Sequence, residues 1–512
     1  MEDYDVLIAG AGPTGMALGL WLAHQGVRVG IVDKAAESGT TSRAMAVQAR
    51  TLELYRQTGI ADEVAAEGAP AEAINLWVRG RRKAHLSFLA AGGDVTPYPF
   101  VLIYPQDKHE RLLERRLRLA GVDVQRHTEL IDFDDRGGQV VAHLHTPQGE
   151  RECTARFLAG CDGARSFVRH KLGAGFPGGT YAHLFYVADV QIQGMETGSE
   201  VHASLDTSDF LLLFPYTRDG RARLIGTIRD ERTGAGAGKQ PDDLSFEDVS
   251  HKAMESLGVK VEQVHWFSTY RTHHRVTDQY RHGQVFLLGD AAHVHSPAGG
   301  QGMNTGIGDA INLAWKLADV LRGDASDALL DSYKTERLAF ARRLVDTTDR
   351  AFTFITAEGG FADFVRMHIA PTVANAAYSF DAAREFVFRT ISQTTVQYHD
   401  SPLSDGTAGK VKGGDRLPWA MLEGRDNYAQ PARIGWQVHV YGEARSALRD
   451  WCLRHGLPVH VFPWGAVHEQ AGFERNAVYL VRPDYYVALS DPTASCDAIA
   501  GYFADRGYRR FA

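Results

Sequence analysis

The chain has 512 residues, 44% hydrophobic and 23% charged, with a formal net charge of −8; that length predicts about three domains with ample apolar material for cores. The acidic balance speaks against a phosphate-tracking surface, so no nucleic-acid partner is expected. The opening MEDYDVLIAG carries acids where a secretory signal is basic, and no run of about 18 apolar residues marks a membrane span.

The first predicted element is a short apolar strand, Tyr4 to Ala9, running into Gly10-Ala11-Gly12-Pro13-Thr14-Gly15. An apolar helix follows, then a second strand from Val27 to Val32 that ends at Asp33. Strand, glycine turn, helix and strand in that order open a dinucleotide-binding fold. Residues 49–58 and 105–120 read as amphipathic helices, with charges on one face and apolar residues on the other. From about 181 to 230 the chain becomes strand-rich, which predicts an antiparallel sheet. Gly234 to Asp243 reads as a flexible loop. A strand returns at Val285 to Leu288, a long helix covers 304–321, and helical patterns continue to about 398. Residues 401–418, rich in Gly, Ser, Pro and Asp, read as the main linker. The remainder alternates strands with helices near 444–455 and 494–506, a small α/β domain. The four cysteines, Cys153, Cys161, Cys452 and Cys496, form no CxxC pair. They suit neither a metal site nor a disulfide framework, and point to a reducing cytoplasm.

Two stretches carry chemistry. In GxGxxG, Gly10 permits a tight turn, Gly12 lets a pyrophosphate approach the backbone, and Gly15 lets helix pack on strand. The helix N-terminus offers unpaired N–H groups to phosphate, and Asp33 is placed for a ribose diol. The second stretch, 286–312, reads FLLGDAAHVHSPAGGQGMNTGIGDAIN. Here a strand ends at Gly289-Asp290, a loop follows, and a helix begins near Gly302-Met303-Asn304. Asp290 can accept hydrogen bonds from a ribityl or ribose hydroxyl. Backbone N–H groups from Gly300 to Asn304 suit a ring that gains negative charge, such as a flavin. A third stretch, Cys161-Asp162-Gly163-Ala164-Arg165-Ser166, is by itself a tight turn.

Together GAGPTG, CDGARSFVR and GDAAHVHSPAGGQGMNTGIGDAINLAWKLA resemble the group A FAD-dependent aromatic hydroxylases, the relatives of p-hydroxybenzoate hydroxylase and phenol hydroxylase. The resemblance spans about residues 4–345 and continues loosely through LVRPDYYVAL, similar to the end of the thioredoxin-like tail of longer members. It implies an α/β plus α+β chain in three parts. A Rossmann-like FAD-binding domain of glutathione-reductase type would take 1–73, 97–175 and 280–400. An antiparallel substrate sheet would take 74–96 and 176–279, and a thioredoxin-like domain 401–512. It further implies that Arg43 lies near the FAD phosphates, Gln106 contacts the cofactor, Asp162 serves FAD and NAD(P)H binding, and Asp290 meets the ribityl chain. Pro297 would sit by the reactive flavin edge, and Gly302, Met303 and Asn304 would touch the ring. Two departures stand out. Asp33 replaces the usual Glu, and the tail lacks the CxxC needed for disulfide exchange.

The implied reaction uses NADH or NADPH to reduce FAD, and O2 to form a flavin C4a-hydroperoxide that hydroxylates a phenolic or polyketide-like substrate. Epoxidation, Baeyer–Villiger insertion and antibiotic modification are the near alternatives; a flavin-binding protein without turnover and a dehydrogenase are the distant ones. A base that deprotonates the phenol would help, and His202, Tyr216, Tyr270 and His295 are the candidates. His293 and His295 as a metal pair lack a third ligand. Arg79 to Lys83 reads as a solvated loop, or as electrostatic help for NAD(P)H. On the strand near 210–215, Phe210, Leu212 and Phe214 share one face and Leu211, Leu213 and Pro215 the other. Sequence does not decide which face lines an apolar pocket. The tail could support a homodimer.

Overall fold

The computed structural model describes residues 3–39, 44–194, 198–205, 210–217, 219–228, 243–249, 251–295, 300–356, 381–428 and 434–511. Among them the strand Asp3–Ala9 forms the centre of an eight-stranded sheet. It pairs in parallel with Val29–Val32 on one side and Gly149–Gly160 on the other; the latter pairs in parallel with Val285–Leu287. Val6 to Ala9 are buried on both faces, as a central parallel strand requires. The helix Pro13–Ala23 starts on proline, which suits a position whose N–H has no partner. It packs against the long helix Gly302–Leu321, itself buried for most of its length. Three adjacent parallel strands therefore end in three loops on one rim, at Gly10, Cys161 and Leu288. Such carboxyl-end rims are where α/β sheets hold ligands.

A second eight-stranded sheet runs in the order His293–Val294, Lys260–Val276, Gly178–Gln193, Arg221–Ile228, Phe210–Pro215, Glu200–Leu205, Ala73–Val78, Arg81–Ser87. It is antiparallel except where Glu200–Leu205 meets Ala73–Val78 in parallel. Arg79 to Lys83 form its exposed end hairpin. The third sheet has six strands, with Gln437–Tyr441 and Val459–Phe462 parallel around the helix Ser446–His455, and Val478–Val481 and Val487–Asp491 antiparallel beside them. This is the thioredoxin-like layout. One continuous hydrophobic core unites the first and third sheets.

Several expectations need correction. The helix after residue 48 is Ala49–Tyr55 and is not amphipathic: all seven residues are buried. Its Arg50 donates to the Asp484 carbonyl at 2.7 Å, and its Glu53 accepts from Arg416 at 2.9 Å, so the charges point into the domain junction. The stretch 401–418 is no loose linker. Asp405–Ala408 and Val411–Lys412 belong to the third sheet, and Leu403 and Arg416 are buried. The long helix, read as 304–321, runs Gly302–Leu321, starting within the Gly302-Met303-Asn304 stretch where the motif put it. Of the expected loop 234–243, only Asp243 lies within the described residues.

Candidate functional site

The glycines of the first loop have separable roles. Gly10 has φ +104°, and a Cβ on it would collide with the Cys161 carbonyl oxygen. A Cβ on Gly15 would collide with the Gly10 carbonyl oxygen. Gly12 is different, because nothing lies within 4 Å of where its Cβ would be. Two glycines thus close the loop and the middle one faces open space, at the N-terminus of a helix. Asp33 braces the same loop: Oδ2 accepts from the Ala11 N–H at 2.6 Å and Oδ1 from the Ala35 N–H at 2.8 Å. Aspartate, shorter than glutamate, is already long enough for that contact. Across the rim, Asp162 Oδ2 accepts from the Val168 N–H at 3.0 Å, while its buried Oδ1 has no hydrogen-bond partner among the described residues. An orphaned buried carboxylate oxygen beside an open glycine suits a hydroxyl-bearing nucleotide.

The second loop is locked from behind. Gly289 has φ +58° and backs onto Thr14; its N–H donates to Asp309 Oδ2 at 3.0 Å. Asp309 also binds His293 Nε2 at 2.7 Å and Arg337 Nε at 2.6 Å. Burial opposes the charge, yet Arg337 and His293 outweigh it and hold the Asp309 carboxyl below its usual range. His293 is therefore committed to holding the fold. Asp290, next to Gly289, is exposed at the rim. Gly300 has φ +61°, 3.0 Å from the Ala46 Cβ by its own projected Cβ. After it, Gly302, Met303 and Asn304 lead the long helix, where N–H groups lack a partner one turn back. The Asn304 side chain is engaged within the fold. Its Oδ1 accepts from the Gln48 N–H and the Thr51 hydroxyl, and its Nδ2 donates to the Ala46 and Gly300 carbonyls. Gln106, first in the helix Gln106–Leu119, exchanges hydrogen bonds with Ala44: its N–H donates at 3.2 Å and its Oε1 accepts at 3.4 Å. It thereby fixes the neighbour of Arg43. Arg43 and Pro297 lie outside the described residues.

The second sheet supplies a wall. Leu211 and Leu213 pack with Tyr186, Leu224 and Met254 into a separate core. On the other face, Leu212 and Phe214 join Phe185, Val187, Ile225 and Tyr270, and Phe214 also touches the core of the first sheet. On that face Phe210, Leu212 and Phe214 are half-buried, and Phe214 and Tyr216 pack against the core that holds the first sheet. His202 lies opposite Leu213 and shares its face, so it points away; its Nδ1 accepts from Trp77 Nε1 at 3.1 Å, and burial pushes its pKa down. That placement speaks against His202 as the base. Tyr270 stacks on Phe185 on the rim side, ring centroids 5.7 Å apart. His295 sits beside the start of the long helix, with Nε2 3.8 Å from the projected Gly302 Cβ. Tyr216 is half-buried, and burial together with Asp189 pushes its phenol up.

Sequence reasoning missed the polar end of this wall. Arg223, 2% exposed, pairs with both oxygens of Asp189 at 2.7 Å and reaches the Ala44 carbonyl at 3.4 Å. With Pro105, Lys108, Tyr216 and Trp266 these residues line a cavity of about 380 Å³. Asp189 and Arg223 face each other across two strands, a pairing no local motif announces.

The chain matches the FAD binding domain family over residues 3–348. It is 36% identical to a 6-methylpretetramide 4-monooxygenase of Streptomyces rimosus, covering 94% of this chain and 90% of that protein. It is 30% identical to aklavinone 12-hydroxylase RdmE of Streptomyces purpurascens, covering 97% of each. The OxyS anhydrotetracycline hydroxylase structure from Streptomyces rimosus superposes with TM-score 0.77 at 26% identity, covering 99% of each chain.

Proposed function

This chain belongs to the FAD-binding-domain family as an FAD-dependent aromatic monooxygenase that uses NAD(P)H, and on that premise we propose that its substrate is a fused polycyclic phenol of polyketide type. The observation that carries the substrate class is the apolar face on which Phe210, Leu212, Phe214 and Tyr270 stay half-buried over buried Phe185, Val187 and Ile225. A flat, multi-ring molecule matches such a wall. The Arg223 charge is answered by Asp189 and is not free to take a substrate carboxylate. The relatives named for 6-methylpretetramide and aklavinone point the same way.

The residues of the rim fit FAD. Gly12 and the helix behind it would hold the pyrophosphate, Asp33 and Asp162 the hydroxyls, and the backbone at Gly302 to Asn304 the ring. When bound and reduced by NAD(P)H, FAD supplies the activation of O2 that delivers one oxygen atom to the aromatic carbon. The chain's own part is orientation and exclusion of water. The apolar face fixes the ring plane, and its dryness limits wasteful loss of reducing power. Tyr216 keeps its proton at neutral pH and so donates a hydrogen bond to a substrate oxygen. Tyr270 and His295 are the groups left on the rim side to take a phenolic proton. Four free cysteines, three of them buried, suit a reducing cytoplasm.

The test is a panel of polycyclic and monocyclic phenols, scored for acceleration of NAD(P)H oxidation, matching O2 uptake, and a product heavier by one oxygen. Stimulation by polycyclic phenols alone is the expected result. Turnover confined to monocyclic phenols would refute the substrate class, and NAD(P)H oxidation without O2 uptake would refute the monooxygenase reading.

A further inference from the structure

Away from the substrate wall, a small cavity lies among the helix Ala49–Tyr55, the long helix Gly302–Leu321 and the C-terminal residues 484–486. Arg50, Asn304, Arg337, Tyr398, Asp484 and Tyr486 line it, and none is more than 5% exposed. Its volume, about 20 Å³, holds one body of water size or slightly more.

The charges around it do not balance. Five buried cations, Arg50, Lys316, Arg337, Arg416 and Arg482, face four buried carboxylates, Glu53, Asp309, Glu336 and Asp484, among the described residues. The pairings leave no carboxylate spare. Glu53 serves Arg50 and Arg416, Glu336 serves Lys316 and Arg482, Asp484 serves Arg482, and Asp309 serves Arg337. Asp319, one turn beyond Lys316, is answered by Arg322. Arg50 carries the deficit: its terminal nitrogens reach Glu53 and the Asp484 carbonyl and its guanidinium lies 4.9 Å from the Tyr486 ring centroid, but its buried Nε has no hydrogen-bond partner among the described residues. A buried cation with an unmet donor is costly to leave so. Lys316 lies in the same network. Burial, helped by the Arg482 charge, pushes its ammonium down to about 8 although Glu336 lies 2.8 Å away.

We propose that this cavity binds one small monovalent anion of halide size, hydrogen-bonded by Arg50 Nε, which neutralises the buried charge network. The anion seats the third sheet on the helix that carries the cofactor loop. Asn304 transmits its presence, since it lines the cavity and also holds Gln48 and Gly300. The proposal stands on charge and space, and is independent of which phenol the enzyme oxidises.

The test uses FAD-loaded enzyme prepared without halide. Crystals soaked in sodium bromide are expected to show an anomalous peak in the cavity, within about 3.5 Å of Arg50 Nε. In solution, bromide at a hundredfold excess over its Kd should raise Tm by about 2 °C relative to gluconate at equal ionic strength, and Arg50→Met should abolish that rise. Should Arg50→Met fail to fold, the crystals of the unaltered enzyme decide alone. A water in the cavity of bromide-soaked crystals overturns the proposal, whatever the Tm.

Discussion

Asn304 Oδ1 lies 2.9 Å from the backbone nitrogen of Gln48, a hydrogen bond between residues 256 positions apart. Through it the N-terminus of the long helix is bound to the segment after residue 44. Asn304→Ala removes the acceptor for Gln48 and Thr51 and the donor to Ala46 and Gly300; all but Gly300 are buried. Unmet buried groups of this kind cost at least about 2 kcal/mol. The variant should unfold at lower denaturant and bind FAD about tenfold more weakly, as read by flavin fluorescence. Unchanged values in both measurements would mean the joint is idle.

The glycine loop makes a sharper demand. Gly12→Ala adds a Cβ to open space, so the cofactor-free protein should keep its Tm within about 1 °C. The same Cβ intrudes on an approaching pyrophosphate, so FAD affinity should drop by about tenfold or more. Gly15→Ala should instead destabilise the apoprotein, because its Cβ meets the Gly10 carbonyl. Calorimetry of both apoproteins, followed by FAD titration, separates the two effects.

Asp189→Asn should be worse than loss of the whole ion pair. It leaves the buried Arg223 charge without its carboxylate, at a cost of about 3 kcal/mol. Adding Arg223→Met should recover a good part of that loss. Equilibrium unfolding of the single and double variants reads the difference; a double variant less stable than Asp189→Asn would contradict the pairing.

Tyr216→Phe should leave the shape of the kcat/KM pH profile unchanged between about pH 6 and 9. Burial and Asp189 hold the phenol proton on throughout that range, so removing the hydroxyl deletes a hydrogen bond and no titration. Loss of an acidic or alkaline limb in the variant would return Tyr216 to the list of bases.

Lys316 predicts a pH-dependent stability. Its ammonium is pushed down to about 8 from 10.5 by burial. Between those values the unfolded chain holds a proton that the folded chain has released, so stability rises with pH across the window. The full rise is about 3 kcal/mol. In halide-free buffer, denaturant midpoints from pH 8 to 10 should climb for the natural protein and climb less for Lys316→Met. Parallel curves would contradict the depressed ammonium.

What was legible in the sequence follows from where the information sits. Gly10, Gly12, Gly15, Gly289 and the residues from Gly300 to Asn304 act through backbone geometry that a few consecutive residues specify. Arg50 and Glu53 were misread because their charges mimic a solvated face, while their partners, Arg416 and Asp484, lie more than 360 residues later. The face of His202 was not legible, because alternation tells which residues share a face but not which face meets the neighbouring domain. The polar run after residue 400 was mistaken for a linker because an edge strand bounded by turns is rich in the same Gly, Ser and Asp. Asp189 and Arg223 left no local trace at all.

The most direct measurement of the central claim is a titration of the purified apoprotein with FAD, followed by absorbance and fluorescence. The account predicts a yellow holoprotein with one FAD per chain and a markedly weaker complex for Gly12→Ala. A folded protein that stays colourless in excess FAD would contradict it.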